Sequence, residues 1–135
     1  MISEFNNRYV RYELQETQQT LVQQWFYTGY KNALHLLPHF NEVLDLQKAY
    51  QAKHVIFDFR NFAYRIPDDL VYFLRMDFIP RLQSLKLDSI KLINSNDLAI
   101  QVQFENLFAR CSNLVVQSWQ FAQQPSNNRE TLLFG

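Results

Sequence analysis

The sequence predicts an α/β fold on a mixed five-stranded sheet, with elements in the order ββαβαβαβ. Three observations lead there. Two stretches of strand-like residues near the N-terminus are joined by a short polar turn, which reads as a β-hairpin. Beyond it, segments with helical periodicity alternate with short β-rich runs, the pattern of right-handed parallel crossovers. One of those runs, "HVIFDF", is almost continuously apolar, as expected of a central strand covered on both faces.

In chain order, Val10, Tyr12 and Leu14 alternate with Arg11 and Glu13 over residues Tyr9 to Leu14, the period of two of a half-buried strand. Thr17 to Thr20 is polar and short, and Leu21 to Thr28 is again rich in β-branched and aromatic residues. Gly29 ends this second strand, and from Asn32, a candidate cap, Leu36, Phe40, Val43, Leu44 and Leu46 recur at helical intervals. Pro38 fits such a helix cheaply only within its first turn. The third strand is His54 to Phe59 or Arg60, followed by a helix from about Pro67 to Leu85 carrying Leu70, Phe73, Leu74, Phe78 and Leu82 at spacings of three and four. Pro80 predicts a kink or break in it near Met76 to Phe78. "SIKLIN", residues Ser89 to Asn94, is the fourth strand, Asp97 to Arg110 the third helix, and Asn113 to Phe121 the fifth strand. Residues 1–122 form one domain, and the polar, proline-broken 123–135 reads as a loose tail or a short terminal helix.

The composition bounds the function. With 135 residues, 47% of them hydrophobic and 16% aromatic, the chain is long enough for a packed core without disulfides or metals. Thirteen basic and thirteen acidic residues cancel, so no long-range field draws in nucleic acid or anionic membranes, and neither is expected as a partner. The single Cys111 fits a reducing compartment. No signal peptide and no stretch of about 20 apolar residues is apparent, so a cytoplasmic protein without membrane insertion is expected.

Catalytic signatures are sparse. Gly29 and Gly135 are the only glycines, which excludes glycine-rich phosphate loops and nucleophile elbows. His35, His39 and Glu42 have helical spacing that could gather metal ligands, yet Pro38 interrupts the register, and ordinary surface histidines are the simpler reading. Cys111 follows a helix, whose carbonyl end disfavours a thiolate. Asp68 and Asp69 oppose a helix dipole at its first turn, a sufficient reason for a pair of carboxylates. Trp25, Tyr27 and Trp119 lack the basic groove that a base-stacking platform requires. No catalytic set, metal or cofactor is expected.

The stretch "KHVIFDFRNF" followed by "IPDDLVYFLRMDFIPRLQSLKLDSIKLI" resembles the SpoIIAA-like, or STAS-domain-like, proteins of bacteria. The matching positions are Asp58, Arg60 and Asn61 at the end of a strand, Pro67, Asp68 and Asp69 opening a helix, and Phe78 to Arg81 within it. The preceding "WFYTGYKNALHLLPHFNEVLDLQKAY" is similar to the family's aromatic strand, Gly-Tyr turn and first helix, so the resemblance spans roughly residues 8 to 121. It implies a STAS-like fold and a regulatory protein-interaction role. In the sporulation members a phosphorylated serine at the start of this helix switches partner binding. Between Val55 and Pro80 this chain has no Ser or Thr, so no such switch can operate there.

In open α/β sheets ligands bind beyond the carboxyl ends of the strands, which places Tyr30, Arg60, Asn61, Tyr64, Arg65, Asn94 and Asn96 on one rim as candidate contacts with a protein partner. Arg60 and Asn61 would alternatively only tie the loop together. A second surface is expected if helices cover one face of the sheet. Val115, Gln117, Trp119 and Phe121 share one face of the last strand, and on the fourth Lys91, Ile93 and Ser95 oppose Ile90, Leu92 and Asn94. The other face of the sheet would be mixed apolar and polar with large aromatics, suited to homodimerisation. The leading expectation is therefore a non-enzymatic interaction module. The alternative is a small-molecule or lipid-binding domain with an aromatic-lined cavity between its phenylalanine-rich helices.

Overall fold

A computed structural model of the chain describes residue 6, residues 9–26 and residues 33–117. It contains five strands, β1 (Val10–Gln15), β2 (Thr20–Trp25), β3 (His54–Asp58), β4 (Ser89–Ile93) and β5 (Leu114–Gln117), in the spatial order β1-β2-β3-β4-β5. β1 and β2 are antiparallel, and every later neighbour is parallel. The hairpin and the mixed α/β sheet thus stand as the sequence indicates. Thr28, Tyr30, Asn32, Trp119, Phe121 and the tail 123–135 lie outside the described residues.

The hairpin turns through a short 3-10 helix, Glu16–Gln18, and closes on Gln19 in the left-handed region with φ of 51°. The Gln19 carbonyl accepts the amides of Lys53 and His54, so the turn also anchors the start of β3. A 3-10 turn, Ala33–Leu36, leads into α1 (Leu37–Tyr50), where Pro38 falls in the first turn and removes no helical hydrogen bond.

The helix between β3 and β4 accommodates Pro80 in a specific way. α2 (Asp68–Phe73) passes into a π-helical turn (Leu74–Phe78) and then into α3 (Ile79–Gln83), with Pro80 in the first turn of α3. Leu70, Leu74, Phe78 and Leu82 are all buried and spaced by four. In a helix of 3.6 residues per turn such a row drifts about 40° per step, and one wide turn draws it back toward the sheet. The expected interruption is therefore an extra residue in one turn, and the buried row continues through it. α4 (Leu98–Phe108) is capped by Asp97, whose Oδ1 accepts the Ile100 amide at 3.2 Å.

One consequence of consecutive strand order is that the parallel crossovers all step the same way and, being right-handed, put their helices on one face. Val10, Tyr12, Leu21, Trp25, Val55, Phe57, Ile90 and Leu92 point to that face and share one core with the buried residues of α1 to α4. Aromatic rings fill it. Trp25 lies 5.3 Å from Phe40, Phe57 lies 5.0 Å from Phe108, and Phe59 stacks on Phe104 at 3.8 Å. Each such pair adds about 0.5–1.5 kcal/mol beyond the burial of its area. Ile56, Lys91 and Val115 point the other way, where no described helix lies. The expectation that β3 is covered on both faces is corrected accordingly: Val55 and Phe57 are buried, whereas His54 and Ile56 are half-buried.

Candidate functional site, the rim beyond β3 and β4

The chain leaves β3 through a turn that Asp58 organises. Asp58 Oδ1 accepts the Arg60 amide at 3.1 Å, an Asx turn, and the Phe62 amide closes on the Phe59 carbonyl at 3.0 Å. The same carboxylate takes the Arg60 side chain, Nε at 3.0 Å on Oδ1 and Nη2 at 2.7 Å on Oδ2. This hydrogen bonding raises the Arg60 pKa, against the opposing effect of burial.

Three further contacts pin the loop from Phe59 to Pro67. Phe62 is buried against Trp25, Phe59 and Phe104. Ser95 Oγ donates to the Phe62 carbonyl at 2.8 Å and accepts the Asp97 amide at 3.1 Å, tying the two rim loops together. Gln103 grips Ile66 from α4, accepting its amide at 2.9 Å and donating to its carbonyl at 2.6 Å. Between these pins Asn61, Ala63 and Arg65 are exposed, and Arg60 and Tyr64 are half-buried. An open cleft of about 700 Å³ results, lined by Phe26, Arg60, Asn61, Phe62, Ala63, Ser95, Asn96 and Asp97.

The predicted rim residues separate. Arg60, Asn61 and Asn96 share this cleft. Tyr64 packs on the core edge. Arg65 lines another opening, of about 500 Å³, between α2 and α4 with Asp68, Val71, Arg75, Leu98 and Val102. Asn94 leaves the presented surface: it is 1% exposed and its Nδ2 donates to Glu105 Oε2 at 2.7 Å. Its position follows from the alternation of β4, which turns Ile90, Leu92 and then Asn94 toward the helices. Tyr30 lies outside the described residues. Gln103 and Phe26 carry or line the site without having been singled out from the sequence. Ser95, grouped from the sequence with Lys91 and Ile93 on one face of the fourth strand, is instead 2% exposed and bonded between the two rim loops.

His39 and Glu42 do meet, with Nδ1 3.3 Å from Oε1, but their neighbours are a tyrosine and a glutamine. The Tyr12 hydroxyl lies 2.8 Å from Glu42 Oε1, and Gln23 Nε2 donates to that hydroxyl and to the His39 carbonyl. His35 is exposed in the preceding 3-10 turn. Among the described residues no three His, Cys, Asp or Glu side chains are grouped to hold a metal ion. No described helix is long and apolar enough to cross a membrane.

The fold and the site together define a two-layer α/β protein with one helix-covered sheet face and an open polar rim. No protein-family model, curated protein or solved structure matches the chain.

Proposed function

We propose that this chain is a STAS-like, non-enzymatic protein-interaction module that binds a protein partner at the rim beyond β3 and β4. The observation carrying this reading is the cleft lined by Arg60, Asn61 and Asn96, whose loops are pinned on both sides while Asn61 and Asn96 stay exposed and Arg60 half-buried. A pinned loop loses little entropy on binding, and arginine is a favoured anchor in interfaces. The strand order never reverses, so the sheet has no switch-point crevice of the kind that encloses nucleotides. The resemblance supports the same role, since Asp58, Arg60 and Asn61 are among its matching positions and here form the turn and its edge. Without a Ser or Thr between Val55 and Pro80, partner binding at this loop does not use the serine switch of the sporulation members.

The alternative of an aromatic-lined ligand cavity gains no support from the rings themselves. Phe40, Phe57, Phe59, Phe78, Phe104 and Phe108 are buried and pack on one another.

The test is site-directed photo-crosslinking in cells of the source organism, with the probe at Asn61 or Asn96 and, as control, at Asp45 on α1. A protein captured at both rim positions and absent from the control is the expected result. Its affinity, measured by calorimetry, then falls at least about tenfold in Arg60→Ala/Asn96→Ala, the cost of losing one or two polar anchors. An affinity unchanged in that variant overturns the rim assignment.

A further inference from the structure

The face of the sheet on which no described helix lies has an internal order in its charges. The strand registers place Glu13, Val22, Ile56, Lys91 and Val115 side by side in one row, from β1 to β5. The neighbouring row runs Arg11, Gln24, Asp58, Ile93, Gln117. Val115 is 53% exposed, Glu13 is exposed, and Ile56, Lys91 and Ile93 are half-buried. Neither Glu13 nor Lys91 is in an ion pair among the described residues. Burial and the Arg60 charge push the Lys91 ammonium below its ordinary pKa, against the opposing pull of Asp58.

The row is complementary to itself when reversed. A twofold axis parallel to the strands, placed between β2 and β3, lays one sheet on a second copy with the strand order inverted. Glu13 and Lys91 stand at equal distances of about 7 Å on either side of that axis, one and a half strand spacings. Each is thereby brought over its opposite in the other copy. Val22, 7% exposed in its own chain, falls on Ile56 and gives an apolar centre. In the neighbouring row Arg11 falls on Ile93 and Gln24 beside Asp58, whose buried carboxylate stays with Arg60. The other in-plane axis, perpendicular to the strands, superposes glutamate on glutamate and lysine on lysine, which repel.

We propose that this face is the interface of a twofold homodimer whose axis runs along the strands between β2 and β3, with Glu13 of each copy meeting the partner's Lys91. Two stacked sheets stand about 10 Å apart, a gap that glutamate and lysine side chains bridge and that valine and isoleucine fill by interdigitation. The zero formal charge of the chain removes net repulsion between copies. The two surfaces adjoin at Asp58 and Arg60, but neither Glu13 nor Lys91 lines the rim cleft, so charge reversal at those two positions tests the dimer alone.

Light scattering and sedimentation at neutral pH and low salt test it. The wild type is expected at twice the 16.2 kDa chain mass. Glu13→Lys and Lys91→Glu each place like charges across the axis twice, and each raises the dimer dissociation constant at least about tenfold. Mixing the two single variants, or combining both changes in one chain, restores opposite charges at both contacts and recovers the dimer. Circular dichroism melts check that each variant folds. If Lys91→Glu melts far below the wild type, the exposed Glu13→Lys decides alone: its deficit narrows as salt screens the repulsion. A monomeric wild type, single variants that dimerise like the wild type, or a mixture and double variant that stay monomeric would each overturn the proposal.

Discussion

Asp58 holds Arg60 by three of its nitrogens: the backbone amide at 3.1 Å, Nε at 3.0 Å and Nη2 at 2.7 Å. The carboxylate's side chain is 7% exposed and the guanidinium's 31%, so the pair is screened on one side only. Asp58→Ala strands a half-buried cation and opens the Asx turn. A loss of about 1.5–3 kcal/mol is expected, the range for hydrogen bonds to charged groups. Urea denaturation measures it. Arg60→Ala leaves the turn hydrogen bond in place but strips the buried Asp58 carboxylate of its cation, and a loss of similar size is expected.

Ser95 joins the two rim loops through a buried hydroxyl. Ser95→Ala removes the donor to the Phe62 carbonyl and the acceptor of the Asp97 amide together. Leaving buried backbone groups unpaired costs about 1–3 kcal/mol. Amide exchange of the segment from Phe59 to Pro67 is expected to accelerate in this variant, while exchange in β1 and β2 is unchanged. Equal acceleration everywhere would mean that Ser95 supports global stability and has no special hold on the rim.

Gln51 closes α1 in the left-handed region with φ of 52°, and Lys86 follows α3 at 57°. A side chain with a Cβ is strained in that region, and glycine is not. Gln51→Gly is expected to leave stability unchanged or raise it by about 0.5–1 kcal/mol, in contrast to the loss that glycine causes inside helices. A thermal melt showing a clear decrease would be inconsistent with the left-handed cap.

Cys111 is buried, and that burial raises its thiol pKa above the ordinary 9.0. Above that pH the unfolded chain releases the proton while the folded chain retains it. Stability from this group is therefore complete below pH 9.0 and is lost as pH rises toward the folded value. Lys91 acts oppositely, since its folded pKa lies below the ordinary 10.5 and its penalty fades as pH approaches that value. The stability advantage of wild type over Cys111→Ala is expected to shrink between about pH 8 and pH 10 in urea titrations. Native protein is also expected to resist thiol reagents until denatured.

The helix-covered core was legible because its signals are local and periodic. Alternation in β1 and β4 and helical spacing in α1, α2 and α4 reflect which side chains each backbone can turn to one side. Pro80 announced its disturbance, though not the π turn that absorbs it. The candidate site was legible in part. Arg60, Asn61 and Asn96 follow strand ends and meet in one cleft, as loop positions beyond parallel strands should. Asn94 stands on the side of β4 that its alternation indicates, but α4 buries it there through Glu105 instead of leaving it at the rim, and Arg65 was carried to a different opening by the bend of the loop toward α2.

By itself, then, the sequence determined the order of elements, the hairpin followed by crossovers, and the apolar faces that had to meet. Those choices depend on neighbours within a few residues, where propensity and periodicity act directly. Only the tertiary structure decided that the strands lie in consecutive order with every described helix on one face, that Asp58 spends its carboxylate on Arg60, and that Ser95 locks one loop to the other. These contacts join residues 2 to 33 positions apart through space. Their geometry comes from strand register and packing, and no local pattern in the chain encodes which side chains those will bring together.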